Sequence, residues 1–281
     1  SMSVCVKFAA IHFNTFELVC YRGAIGTIIM ALLCQRKGVS LKTPVAKMHI
    51  YRSIVGVISL AAWFYAIAKL PLATAMTLNY MSGVWVAAFL VGSTIFLGSF
   101  KNAKRQIPVA LTVLAGFAGV VMTLRPTFEQ NQMLAGLIGV ASGMIAAMAY
   151  LQVAALGKVG EPVERTVFYF SLGAAVAGGL CMLLFGVSEW HWPAAVWLLP
   201  IGILAVLGQW CMTQAYTDGA TIVVANLQYA GIVFSALFGL VLFGDQIPFI
   251  GWAGMCLIVL SGFAATALRD KSLVKVPTED H

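Results

Sequence analysis

The chain has 281 residues, of which 61% are hydrophobic and only 10% charged, and its mean hydropathy is +0.93. A soluble domain carries about a quarter charged residues and could not hide this much apolar surface in one core, so the soluble classes are excluded. The net charge of +7 is then read by side of a membrane, not as a nucleic-acid footprint.

The first element, residues 1–11 ("SMSVCVKFAAI"), is apolar but too short to span alone. Nine full spans follow, at 15–34, 50–69, 71–98, 107–124, 133–157, 166–187, 194–216, 220–243 and 248–268. Each can cross a hydrocarbon core of about 30 Å. The first apolar run leads directly into another, so it reads as a helix and not as a cleaved leader. The links "LPLA", "RPTFEQNQ", "EWHWP" and "TDGA" are ordinary turn chemistry. A short polar tail follows Leu268. The fold class is an all-α polytopic membrane protein with ten transmembrane helices, numbered here first to tenth.

Lysine and arginine fall unevenly between the links. Arg36, Lys37, Lys42, Lys47 and Arg52 flank the second-to-third link; Lys101, Lys104 and Arg105 the fourth-to-fifth; Lys158 and Arg165 the sixth-to-seventh; Arg269, Lys271 and Lys275 the tail. All thirteen share one side if ten helices alternate, against Lys69 and Arg125 on the other. The positive-inside rule places both termini in the cytoplasm, and the charge pattern supports the helix count itself.

Two stretches repeat, "TAMTLNYMSGVWVAAF" at 74–89 and "TIVVANLQYAGIVFSA" at 221–236. The offset from Asn79 to Asn226 is 147 residues, and it also pairs Trp63 with Trp210, Thr74 with Thr221, Glu17 with Glu164 and Gly26 with Gly173. A constant register over most of the chain marks a duplication. Each copy holds five helices, an odd number, so the second enters the membrane upside down, as in many secondary transporters. The repeats are residues 1–125 and 133–268, followed by a tail at 269–281. By the same offset the first helix should begin about fifteen residues before this sequence does, so it is expected to be truncated.

The second-helix start "FNTFELVCYRGAIGTIIMALL", the hairpins "LPLATAMTLNYMSGVWVAAFLVGSTIFLG" and "GATIVVANLQYAGIVFSALFGLVLFGDQI", and "LIVLSGFA" near the end resemble the drug/metabolite transporter superfamily in its EamA-like branch. The resemblance covers nearly the whole chain. It implies a basket of helices around a central cavity lined mainly by helices one, three, four, six, eight and nine. It also implies a secondary transporter of the bacterial inner membrane, with export of a small amphipathic metabolite such as an amino acid. Uptake of a metabolite such as S-adenosylmethionine or a vitamin is the alternative.

Polar groups in hydrocarbon need a reason. Asn79 and Trp63 each lie eight residues from the turn at Pro71; Asn226 and Trp210 each lie eight from the turn at Asp218. Each pair therefore shares a depth. Two readings stand: a symmetric substrate cavity with indole walls and amide hydrogen bonds, or interhelical hydrogen bonding that only holds helices together. Tyr80, Gln214, Gln228 and Tyr150 join the candidate substrate-binding set, with Trp85, Gln209, Tyr229 and Gln152 nearby. Lys7, Glu17 and Arg22 lie near helix ends and are expected to be rim charges, Glu17 pairing with Lys7, or less readily a coupling group.

No carboxylate stands at mid-membrane depth. Gly139 with Gly143, and Ser235 with Gly239, give small faces for close helix packing. The six cysteines and four histidines are scattered, and no catalytic or Walker motif occurs. The expectation is therefore no enzyme, no cofactor and no metal. The partners are a small-molecule substrate and the lipid bilayer, with no nucleic acid; no feature fixes an oligomeric state.

Overall fold

The structure is a computed structural model. It describes the backbone of residues 2–96, 111, 112, 114–116, 118, 119, 122, 130–217 and 221–273; the side chains of residues 87, 90, 91, 93–96, 130, 131, 221–230, 233, 265, 266 and 268–273 lie outside the description. The described helices are α1 (Met2–Ala9), α2 (Thr15–Arg36), α3 (Ala46–Lys69), α4 (Leu72–Tyr80), α5 (Ser82–Phe96) and α6 (Gln130–Lys158). They continue with α7 (Val163–Phe185), α8 (Trp192–Ala195), α9 (Leu198–Thr217), α10 (Thr221–Phe243) and α11 (Phe249–Leu273). Five segments among the described residues are long and apolar enough to cross a membrane: Thr15–Arg36, Ala46–Lys69, Gln132–Lys158, Val163–Phe185 and Trp192–Thr217. Shorter apolar helices cover Phe234–Phe243 and Phe249–Ala264. Most of the expected span at 107–124 lies outside the described residues.

Two expected spans differ, and the first is 194–216, which is divided between α8 and α9 at Val196 and Trp197. Residues 71–98 read as continuous, but the helix breaks at Met81, between α4 and α5. The break falls beside Ser82 and Gly83, a pairing at which helices kink. It also lies where α4 is pressed from both sides. A Cβ on Gly143 of α6 would sit 2.6 Å from the Leu78 carbonyl oxygen. A Cβ on Gly231 of α10 would sit 2.6 Å from the Tyr80 ring.

The scaffold around this break is a close pairing of α2 with α7. A Cβ on Gly23 would lie 2.3 Å from the Ala175 amide nitrogen, so only glycine lets the two backbones meet. Close packing through small residues is the usual way helices associate where lipid is as apolar as the side chains. Besides this pair, α3 packs on α6, α9 on α1 and α2, and α4 on α10. The bundle's outer surface carries exposed apolar side chains such as Ile28, Ile54, Leu180 and Leu207, which suits a lipid boundary.

Polar contacts gather at the two ends. At one, Asn14 caps α2: its Oδ1 accepts from Glu17 N at 3.0 Å, and Glu17 Oε2 accepts from Asn14 N at 2.7 Å. The Ser188 backbone N–H donates to Glu17 Oε1 at 3.0 Å and its hydroxyl to Oε2 at 2.7 Å. The expected Lys7–Glu17 pair is therefore corrected. Glu17 is consumed by its capping box and the link after α7, while Lys7 Nζ lies 3.2 Å from Asp245 Oδ2. Asp245 also accepts from Leu72 N at 2.8 Å and so caps α4. His12 and His191 stack at this end with centroids 3.9 Å apart. At the other end Lys37 pairs with Glu164 at 2.7 Å and Arg165 with Glu161 at 2.8 Å, and the Thr43 hydroxyl donates to Glu161.

Candidate functional site

A central cavity of about 750 Å³ opens beside the α4–α5 break. That volume suits a small organic molecule. Helix α3 contributes one wall, with Arg52, Gly56, Ser59 and Trp63 recurring at helical spacing. Asn79 and Tyr80 enter from the end of α4, Tyr150 from α6, Phe170 from α7 and Gln209 from α9.

The predicted residues divide. Trp63, Asn79, Tyr80 and Tyr150 all line this cavity. The indole Nε1 of Trp63 is buried with no hydrogen-bond partner among the described residues. Tyr150 stacks on Tyr216 with centroids 5.5 Å apart. Trp210 lies outside the lining, packed with Met30, Val163 and Val167, and Lys37 Nζ stands 5.4 Å from its ring. Gln214 sits on α9, likewise outside the lining. Asn226 and Gln228 lie on α10, and their side chains fall outside the described residues.

Asn79 also holds helices together. Its Nδ2 donates to the Ser142 hydroxyl oxygen at 3.1 Å, and that hydroxyl donates to the Gly139 carbonyl at 2.7 Å. Ser59 of α3 donates to the Ser142 carbonyl at 2.8 Å. The amide nitrogen is thus committed to an α4–α6 link on the cavity wall.

Two arginines are the features that sequence reasoning misplaced. Arg22 was expected at the rim, and Arg52 at the edge of the cytoplasmic second-to-third link. The structure places both in the cavity wall, only 6% and 3% exposed. Both approach the Phe170 ring: the guanidinium carbon of Arg52 lies 4.2 Å from its centroid and that of Arg22 lies 5.3 Å away. The signal in the sequence was Gly56, four residues after Arg52. A Cβ there would lie 2.0 Å from Arg52 Nη1, so the bare helix surface at Gly56 is the groove in which the guanidinium rests.

Several known proteins match the chain over most of its length. The chain is 31% identical over 272 residues to the pseudopaline exporter of Pseudomonas aeruginosa, covering 95% of this chain and 92% of that protein. It belongs to the drug/metabolite transporter superfamily, EamA-like branch. The riboflavin transporter of Vibrio cholerae is 28% identical, over 91% of this chain and 84% of its own length. The S-adenosylmethionine uptake transporter of Rickettsia bellii is 21% identical, over 85% and 79%. A solved crystal structure matches with a TM-score of 0.62 at 22% identity, covering 95% of this chain and 94% of that one, which shows the same fold. No family model matches the chain. As a member of this superfamily the protein is a multi-pass membrane secondary transporter and not an enzyme.

Proposed function

We propose that this transporter exports a small amphipathic metabolite, of about amino-acid size, across a bacterial inner membrane by alternating access. The observation that carries this is the aromatic and amide-lined cavity at the break between α4 and α5. Secondary transporters hold substrate near the midplane, at the interface of their repeats. The substrate-binding set is Trp63, Asn79, Tyr80 and Tyr150. Asn226 and Gln228 join it from α10 by the repeat, while Trp210 and Gln214, on α9, stand outside the lining. Of the three charged candidates, Arg22 belongs to the site, while the contacts of Lys7 and Glu17 fit end-closing roles.

Residues 1–125 and 133–268 act as the two inverted repeats, with 269–281 as a tail. The packing supports this: α2 meets α7, its counterpart at the 147-residue offset, and α4 meets α10 in the same way. The pairs α1–α9 and α6–α3 reciprocate each other. The lysine- and arginine-rich links favour cytoplasmic termini.

Export follows the exporter relative, and uptake is the second reading because two other relatives are named for riboflavin and S-adenosylmethionine transport. Everted and right-side-out vesicles containing the protein, offered radiolabelled amino acids and related metabolites, separate the two. Export predicts protein-dependent accumulation in everted vesicles. Accumulation confined to right-side-out vesicles overturns it in favour of uptake.

A further inference from the structure

We infer that Arg22 and Arg52 form the recognition site for a small organic dianion, two carboxylates on an apolar or aromatic-compatible body. This rests on the cavity being the transport site, and it narrows the substrate class. The two guanidiniums approach one ring and so stand within about 10 Å of each other, a range over which like charges in a poorly screened interior repel. Arginine keeps its charge at physiological pH. Nε of Arg22 and both Nε and Nη1 of Arg52 are buried with no hydrogen-bond partner among the described residues. An ionisable side chain left unpaired within a membrane-spanning bundle is costly, and it persists where a ligand supplies its counter-charge.

The chain's own acids do not supply it. Among the described residues, Glu17 is held by Asn14 and Ser188, Glu161 by Arg165 and Thr43, Glu164 by Lys37, and Asp245 by Lys7 and Leu72. Glu189 lies in the exposed link after α7. Among the described residues, no carboxylate lines the cavity. The Phe170 face offsets part of the cost, since both cations lie within the about 6 Å reach of a cation–π contact, but a ring accepts no hydrogen bonds. Guanidinium forks on two separate helices each match one carboxylate in bidentate geometry. A zwitterion would bring an ammonium for which the lining has no anionic partner. The class favoured is therefore net-negative, with aromatic walls from Trp63 and Tyr150 accommodating the carbon skeleton.

The test uses the full chain, purified in detergent, with glutarate, its neutral diamide and inorganic phosphate titrated at constant ionic strength while the melting temperature is followed. A ligand that binds only the folded state raises it in a saturable way. Glutarate is expected to raise the melting temperature of the wild type and the diamide is not. In Arg22→Gln and in Arg52→Gln the apparent dissociation constant for glutarate should rise at least about tenfold, the loss of one charge-assisted fork. The ligand-free variants should melt at or above the wild-type temperature, because an unpaired charge has been removed. Should a glutamine variant fail to fold, Arg52→Lys takes its place; it keeps the charge, loses the fork and should still weaken glutarate binding.

No response to glutarate in the wild type, an unchanged response in the folded variants, or equal stabilisation by the diamide each overturns the proposal. A response to phosphate but not glutarate overturns the carboxylate assignment. None of these readings depends on flux. Transport of a neutral or cationic metabolite with no effect of either arginine would reject the dianion and leave the transporter reading standing.

Discussion

Replacing Gly143 by alanine tests whether α4 is clamped against α6 at the cavity wall. The added Cβ would lie 2.6 Å from the Leu78 carbonyl oxygen and 3.0 Å from that of Asn79, against 3.4 Å or more for ordinary contact. The obstructing atoms are backbone, so the helices must part by about 0.8 Å, and overpacking of that kind costs about 1–3 kcal/mol. The same displacement stretches the 3.1 Å bond from Asn79 to Ser142 beyond hydrogen-bonding range. That adds about 0.6 kcal/mol, the mean for an interhelical bond in a membrane protein. The expected loss is about 2–3 kcal/mol. Gly139→Ala, one turn away on the same helix, is the internal control. Its Cβ would meet the flexible end of Leu78, Cδ1, at 3.0 Å and should cost less than about 1 kcal/mol. Unfolding in mixed micelles with increasing denaturing detergent measures both. If Gly143→Ala is no less stable than Gly139→Ala, the close α4–α6 approach is wrong.

Asn79→Leu removes the bond to Ser142 and should destabilise the protein by about 1 kcal/mol; if substrate affinity is also unchanged, the amide is structural and not part of the binding set. Asp245→Asn weakens both the α4 cap and the Lys7 pair, and a loss of about 1–2 kcal/mol is expected by the same unfolding assay, with no loss arguing against the contact. Gly56→Ala displaces the Arg52 guanidinium, so it should weaken glutarate binding as much as Arg52→Gln does, while Gly179→Ala, outside the cavity lining and with nothing nearer its Cβ than Cys20 Sγ at 3.8 Å, should not. Single cysteines at Thr43 and Ser188, in a background lacking the six native cysteines, should be labelled from opposite faces of the membrane, Thr43 from the cytoplasm; labelling from one face would contradict the two-ended arrangement.

Helix positions were legible because apolar runs of this length have no other use. The runs read at 133–157 and 166–187 appear as α6 and α7 within three residues at either end. The break at Met81 was hidden within a run read as one span: Ser82 and Gly83 beside it are a local kinking signal, but the pressure of α6 and α10 on α4 comes from distant residues. The two arginines were misread for a related reason. Position relative to a helix end suggested rim or loop, whereas Arg52 lies six residues inside α3. What places its guanidinium in the cavity is the missing side chain at Gly56 together with the Phe170 face from a distant helix. The 147-residue offset made Trp63 and Trp210 equivalent in register, but their neighbours are not equivalent. Helix α3 is backed by α6, and Trp63 reaches the cavity; α9 also packs against α2 and α7, and Trp210 sits among their side chains near Lys37. Glu17 carried a capping-box signature, Asn followed three residues later by Glu, and that local use was the better guide to its partner.

The cavity beside the α4–α5 break is proposed as the substrate site of this secondary transporter. Counterflow in proteoliposomes tests it most directly. Vesicles are loaded with a panel of unlabelled amino acids and related metabolites, diluted into tracer amounts of each labelled compound, and compared with vesicles carrying Tyr150→Ala, a change to the cavity wall. A transient, saturable accumulation of at least one compound that empty liposomes lack is expected, with its half-saturation concentration raised in Tyr150→Ala. Counterflow of the same affinity in both proteins, or none above empty liposomes for any compound in the panel, would contradict it.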